Sequence, residues 1–415
     1  MNRRSLSAAL ILLLASLGAL TLSCSALCAA IVGPGASAPG TIEDGEIGPQ
    51  ARALVAASFS DFEGRRPVDF HVHVAGLGAG GTGCTVNPRM RSFLHPWLRI
   101  QFSIYMAAAG VDELDRADEQ YVERLLELWR AVEPRPRLGL LALDHRYGED
   151  GTLDADGSPI HVPNDHVLRL AREHEDAFFP VVSVHPYRKD AAAELERCAA
   201  AGARLVKWLP NSMGIDPADS RCDPFYERLA SLGMTLLTHA GDEKALEAEG
   251  GRDLGNPLRL RRALERGARV VVAHCASLGT AEDLDDPTRS RVECFDLFLR
   301  MMEEPQWERL LYGELSATCL RNRDPRVLRT LLERTDLHER LVDGSDWPLP
   351  AIRATTSLRR FERAGLLTRS EREALDEIRD ANPLLFDFVL KRTLRGPRGE
   401  RFPASVFLRR PEILP

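Results

Sequence analysis

The sequence predicts an α/β protein built on a TIM-like (β/α)8 barrel with extra C-terminal helices. Eight short apolar runs, rich in β-forming residues, alternate with segments whose apolar residues recur at helical spacing. Residues 270–273 read Val-Val-Val-Ala, as expected for a strand covered on both faces of a parallel sheet. The chain has 415 residues, 44% of them hydrophobic, which is enough for a large barrel core. An open doubly wound sheet is the alternative architecture.

The eight predicted strands follow one another in the middle of the chain. They are residues 68–74, 138–143, 178–184, 204–209, 234–239, 269–274, 311–315 and 341–344. Helical spacing is clear between them, for example at residues 119–132 and 224–232. Residues 357–391 are predicted to form terminal helices outside the barrel.

The first thirty residues predict an export signal. Arg3 and Arg4 precede the apolar residues 6–22, and small residues follow as far as Ala30. We therefore expect a periplasmic or extracellular protein, with lipidation at Cys24 or an uncleaved membrane anchor as alternatives. The predicted organisation is a signal at 1–30, a flexible spacer and lead-in at 31–65, the barrel at 66–390 and a C-terminal tail at 391–415.

The charge balance indicates which class of partner to expect, and the cysteine spacing indicates the state of the thiols. Lys and Arg total 54 against 61 for Asp and Glu, and the basic residues are scattered, which argues against nucleic acid as a partner. The expected partner is a small-molecule substrate, with membrane contact only through the N-terminal signal or lipid anchor, and a homo-oligomer is left open. The six cysteines beyond the signal form no C-x-x-C pair and are expected to be buried thiols.

Potential metal ligands lie where five of the eight strands end. His71 and His73 are two residues apart on the first strand, so their side chains point to the same face and can bind one ion together. The later strand ends carry Lys207, His239, His274 and Asp346. In a barrel of this kind, chemistry takes place at the carboxyl ends of the strands. Neutral imidazoles with a carboxylate suit zinc or a similar divalent ion.

In this order and spacing, these residues resemble those of the amidohydrolase superfamily. Gly344-Ser345-Asp346-Trp347-Pro348 is similar to the eighth strand of the family, and residues 381–386 are similar to its closing helix. The resemblance covers about residues 66–390. It is greatest for the amidohydrolase-related branch, which contains both hydrolases and nonoxidative decarboxylases.

The resemblance implies one or two divalent ions, with His71, His73, His239, Asp346, Lys207 and His274 as the set of ligands. Lys207 is either a carboxylated ligand that bridges two ions or a free amine. Asp346 is expected to transfer the proton of an activated water, and His274 to bind a second ion or polarise the substrate. The expected activity is hydrolysis at a carbonyl or phosphorus centre. Decarboxylation is the alternative, and a noncatalytic protein with a structural metal is a third hypothesis.

The glycine-rich run at residues 76–81 matches the G-x-G-x-x-G dinucleotide fingerprint, but no helix follows directly, so that interpretation is rejected. We expect an extended loop over the site at residues 76–109, with Phe93, Trp97 and Phe102 as a lid or pocket wall. The candidates for substrate selectivity are Arg221, Arg321, Tyr187 and Trp347.

Overall fold

The computed structural model describes residues 31–38, 40–42, 46–244, 246 and 251–414. At its centre, eight parallel strands pair in chain order. Strands β1 to β8 span Val68–His73, Arg137–Leu141, Phe178–Val182, Leu205–Trp208, Thr235–His239, Arg269–Ala273, Leu311–Glu314 and Leu341–Val342. Each strand overlaps one predicted apolar run. The (β/α)8 barrel is confirmed, and an open doubly wound sheet is excluded.

Backbone hydrogen bonds join the last strand to the first. The Phe70 amide donates to the Asp343 carbonyl at 3.0 Å, and the Asp346 amide donates to the His71 carbonyl at 2.8 Å. Val72 forms an isolated parallel bridge with Trp347. The two ends of the sheet are therefore held side by side where their ligand residues lie.

Apolar side chains fill the space inside the barrel. Every strand contributes to a separate buried cluster, which includes Phe70, Phe179 and Val271. Ile413, near the end of the chain, packs into the same cluster and is fully buried. The segment after the last helix thus packs against the barrel.

Helices surround the strands. Helices α1 to α13 span Pro49–Phe59, Pro96–Ala108, Ala117–Arg130, Asn164–Glu173, Ala191–Ala200, Pro210–Met213, Asp223–Ser231, Arg261–Glu265, Cys294–Glu303, Pro325–Glu333, Leu358–Arg363, Arg369–Ala381 and Pro383–Thr393. The last three are the predicted terminal helices. Helix α12 begins with a capping box, in which the Thr368 side chain and Glu371 bond to each other's backbone amides.

The lead-in at residues 31–65 was predicted to be flexible, but parts of it pack against the rest of the protein. The Arg124 guanidinium donates to the Gly35 carbonyl at 2.8 Å, and the side-chain amide of Asn382 donates to the Gly40 carbonyl at 2.9 Å. A Cβ on Gly35 would lie 2.4 Å from the Arg379 carbonyl oxygen. The small residues that suggest a flexible spacer instead permit close packing against the terminal helices, and Ala36 is buried there.

The glycine-rich run after β1 encloses a carboxylate of this chain. Asp118 accepts hydrogen bonds from the amides of Leu77 at 2.6 Å and of Gly78 and Ala79 at 3.2 Å. These amides are therefore occupied by a side chain of α3, which agrees with the rejection of a dinucleotide site.

Within the described residues, no helix is both long and apolar enough to span a membrane. The predicted export signal, with Cys24, lies outside them. All six cysteines beyond the signal are free and buried, as expected.

Candidate metal centre

Asp346 lies among three histidines at the carboxyl end of the barrel. Its Oδ1 is 3.1 Å from His73 Nε2 and 3.5 Å from His71 Nε2. Its Oδ2 is 4.0 Å from His274 Nε2. One ligand atom each from His71, His274 and Asp346 lies within 4.8 Å of the others. Three strand ends distant in sequence therefore converge on one point.

Two of these residues have left-handed backbone conformations. The φ angle is +57° at His274 and +58° at Asp346, a region that non-glycine residues seldom adopt. Hydrogen bonds hold both positions, because the His274 amide donates to Glu314 at 3.2 Å and the Asp346 amide donates to the His71 carbonyl. Conformations of this kind occur preferentially at functional sites.

Glu314 supports the histidines from the end of β7. This side chain is fully buried, and its Oε2 lies 3.2 Å from His71 Nδ1. It also accepts from the Ser316 hydroxyl at 2.6 Å, and that hydroxyl lies 2.7 Å from His274 Nδ1. A carboxylate at Nδ1 keeps the proton on that nitrogen and leaves Nε2 free to bind a metal. Glu314 is not among the predicted site residues, although a glutamate at the end of an apolar strand was the available signal.

Lys207 and His239 lie in the same group. The Lys207 ammonium is buried and lies 3.1 Å from His71 Nε2. The His239 ring centroid is 5.2 Å from that of His274. The two ring nitrogens of His239 face the adjacent loop, with Nδ1 at 3.5 Å from Glu243 and Nε2 at 3.3 Å from the Asp242 carbonyl. The structure thus brings together all six predicted site residues, with His239 turned toward this loop.

Burial and charge set the protonation states. Burial, reinforced by Lys207, lowers the pKa of His71 to about 4. Burial acts to raise the pKa of Glu314, but its hydrogen bond with His71 and the charges of the histidines outweigh this and lower it to about 2. Burial likewise opposes ionisation of Asp346, yet its histidine neighbours hold its pKa well below the usual value. Near neutral pH the site therefore combines neutral imidazole with ionised carboxylates.

This set of donors fits a divalent metal ion. Ligand atoms bonded at about 2.1 Å to one tetrahedral divalent ion lie about 3.4 Å apart. The distances of 3.1 and 3.5 Å from Asp346 Oδ1 to His73 and His71 are close to that value. The carboxylate at His71 Nδ1 supplies the outer partner that metal-binding histidines usually have.

A cavity of about 250 Å³ opens directly onto these residues. Its walls are mostly apolar and include Phe102, Met106, Leu143, Leu209, Leu320 and Leu349. Asp242, Glu243, Lys244, Asn322 and Arg323 add polar groups. An apolar cleft with a few convergent polar groups is typical of a small-molecule site.

The lid and selectivity predictions were partly wrong. Within residues 76–109, residues 96–108 form helix α2 with Phe102, Met106 and Ala108 buried, so the segment is not one extended loop. Phe102 lines the cavity, whereas Phe93 and Trp97 are 72% and 77% exposed and do not. None of Arg221, Arg321, Tyr187 and Trp347 lines it.

The family model described as amidohydrolase, of the second type, matches residues 68–376. The chain belongs to the amidohydrolase family. The match spans well over half of the 415 residues and contains every residue of the candidate metal centre. Members of this family are metal-dependent enzymes, including hydrolases and decarboxylases. Among proteins of curated function, none matches this amidohydrolase.

This amidohydrolase is similar to several solved structures. One is an uncharacterised TIM-barrel protein from Bordetella bronchiseptica, at 18% identity over 75% of this chain and 95% of that chain, with a TM-score of 0.46. Another is a probable 2-pyrone-4,6-dicarboxylic acid hydrolase from Acinetobacter baumannii, at 12% identity, 74% and 95% coverage and a TM-score of 0.42. A third is a 5-carboxyvanillate decarboxylase from Novosphingobium aromaticivorans with bound manganese, at 11% identity, 75% and 91% coverage and a TM-score of 0.44.

Proposed function

We propose that this amidohydrolase is a metal-dependent hydrolase that acts on the carbonyl carbon of an ester, lactone or amide, or on a phosphorus centre. The observation that supports this most is Asp346. Its carboxylate is buried, lines the cavity among the histidines, and is ionised because those histidines keep its pKa below the usual value. A carboxylate in this position can accept a proton from water at a substrate held in the cavity.

The residues that would hold the metal are the strand-end histidines and Asp346, with Lys207 as a further ligand if it is carboxylated. Zinc is the ion that we propose. When bound, such an ion polarises the substrate oxygen and lowers the pKa of water.

Asp346 would then accept a proton as the water oxygen forms its bond to the substrate carbon or phosphorus. It would return that proton to the leaving group as the bond to that group breaks. His274, whose Nδ1 lies 2.7 Å from the Ser316 hydroxyl, is held in place to polarise the substrate oxygen. Apolar walls around the centre limit access of bulk water to the reacting groups.

Nonoxidative decarboxylation of an aromatic or unsaturated carboxylic acid is the second candidate. It is favoured by the combination of apolar walls with a buried cation, Arg323, in one cavity. In that reaction the bond to the carboxylate carbon breaks, carbon dioxide leaves, and the substrate carbon takes a proton.

A substrate screen combined with metal analysis tests both candidates. The purified protein would be assayed on esters, lactones, amides, phosphotriesters and aromatic carboxylates, and its metal content measured by elemental analysis. We expect metal-dependent hydrolysis, and release of carbon dioxide without hydrolysis would favour the decarboxylase instead.

Metal content is expected to be lost when His71 and His73 are both replaced by Ala. The matched control is His95→Ala, because His95 is exposed and lies outside the cavity. Full metal content in the double variant would refute the proposed centre.

A further inference from the structure

Arg323 is a buried cation that the proposed reaction does not use. It follows β7 in the chain, is only 7% exposed and lines the cavity. Its Nε donates to the Ser277 hydroxyl at 3.1 Å, which fixes one side of the guanidinium. Its Nη1 is buried and has no hydrogen-bond partner. An arginine rarely leaves such a donor unsatisfied in the interior.

Acidic groups lie near Arg323 without pairing with it. Asp346, Glu243 and Asp242 are close enough to favour its charged form, yet none of them hydrogen-bonds to it among the described residues. Burial lowers its pKa to about 10, so the guanidinium is still charged at neutral pH. A fixed cation therefore lies beside the metal centre with part of its donor capacity unused.

We propose that Arg323 is the subsite for a carboxylate of the substrate, and that the apolar walls bind the remainder of that molecule. This inference rests on the proposed function, because it assigns the substrate class of the same site. The planar guanidinium presents donors in a geometry that matches a carboxylate. The substrate is accordingly a small apolar molecule with one carboxylate in addition to the bond that reacts.

The walls of the cavity favour a monoanion. Arg323 is one of three basic residues that line it, with Lys207 and Lys244, beside the carboxylates of Asp242, Glu243 and Asp346. A carboxylate carries a single charge that one guanidinium can neutralise. The mostly apolar walls would disfavour a second ionised group.

Equilibrium binding of benzoate and benzamide to the metal-loaded protein tests this assignment. The two molecules are nearly equal in size, but only benzoate is charged. Isothermal titration calorimetry is expected to show benzoate bound about tenfold or more tightly than benzamide, as for a charge-assisted pair. Arg323→Gln is expected to remove this preference while the affinity for benzamide stays within about twofold.

Arg321→Gln is the matched control. It removes the same charge two residues away, from a side chain that is exposed and outside the cavity, and is expected to keep the preference. If Arg323→Gln does not fold, as judged by circular dichroism, Arg323→Lys replaces it and is expected to reduce the preference.

A preference that survives in the folded Arg323 variant overturns the proposal, because the carboxylate is then held elsewhere, for example by the metal. Equal or undetectable binding of both probes to the wild type overturns it as well. Binding is measured without turnover, so the proposed function is tested separately. A protein that prefers benzoate through Arg323 but hydrolyses nothing would contradict the hydrolase and not the subsite.

Discussion

Replacing Glu314 by Gln tests whether this buried carboxylate orients the metal ligands. Gln has nearly the same shape but no charge. In the wild type, Glu314 accepts from His71 Nδ1 at 3.2 Å, from the Ser316 hydroxyl at 2.6 Å and amide at 2.5 Å, and from the His274 amide at 3.2 Å. A Gln side chain must place its NH2 group against some of these donors. His71 is then free to move its proton to Nε2 and block its ligand atom.

The magnitude follows from the hydrogen bond to His71. A bond to a charged acceptor is worth about 1 to 2 kcal/mol more than a neutral one, which corresponds to about 5- to 30-fold in an equilibrium constant. Because the NH2 group would also repel a donor, we expect metal affinity to fall by about 10- to 100-fold, the range typical of such outer partners.

Competition for zinc against a chromophoric chelator measures this affinity. Glu175→Gln serves as the control, because Glu175 is exposed and outside the cavity. Thermal melts identify variants that fail to fold. An affinity within about twofold of wild type in folded Glu314→Gln would refute the argument that Glu314 sets the tautomer of His71.

Three further predictions concern proton transfer, metal number and stability. At saturating metal, turnover by Asp346→Asn should remain at least about 100-fold slower than turnover by the wild type, and near-normal turnover would exclude a shuttle role for Asp346. If Lys207 is carboxylated and bridges two ions, Lys207→Ala should lower bound metal from two equivalents to one, and one equivalent in fully active wild type would contradict a bridging lysine. Burial raises the pKa of Asp387 to about 8 although Lys391 lies 2.6 Å away, so the folded state holds a proton that the unfolded chain releases near pH 4. Asp387 should therefore contribute a loss of stability with rising pH between those values, of up to about 1.4 kcal/mol per pH unit, and the fall measured in urea melts should be shallower in Asp387→Asn by that amount.

The barrel could be predicted because its strands are buried on both faces. Such strands are nearly continuous apolar runs, as in Val270 to Ala273, and eight of them separated by helical segments leave few alternatives. The lead-in could not be predicted in the same way. Glycine and alanine near Gly35 suit a flexible linker and a tightly packed segment equally, and only the position of Arg124 and α12 decides between them.

The residues of the metal centre could be predicted where they lie at the ends of strands. A strand fixes which side chains share a face, so His71 and His73 could be placed together from their spacing alone. Glu314 also ends a strand, but its role depends on lying beside His71, 243 positions away in the chain. Pairing of this kind depends on how the barrel closes, which no local pattern shows.

Arg321 was predicted as a candidate for substrate selectivity, but Arg323 lines the cavity instead, and no local pattern in the sequence distinguishes the two residues. Both follow β7 in a loop, where no helical or strand period fixes the direction of a side chain. The chain there is held by a bridge between Leu320 and Thr356 and by the Arg321 amide, which donates to the Thr355 carbonyl at 2.7 Å. The Arg323 amide donates to the Leu320 carbonyl at 3.0 Å in the turn that follows. These contacts with a distant segment leave Arg321 exposed and turn Arg323 into the cavity, so the direction of each side chain depends on tertiary packing and not on its neighbours in sequence.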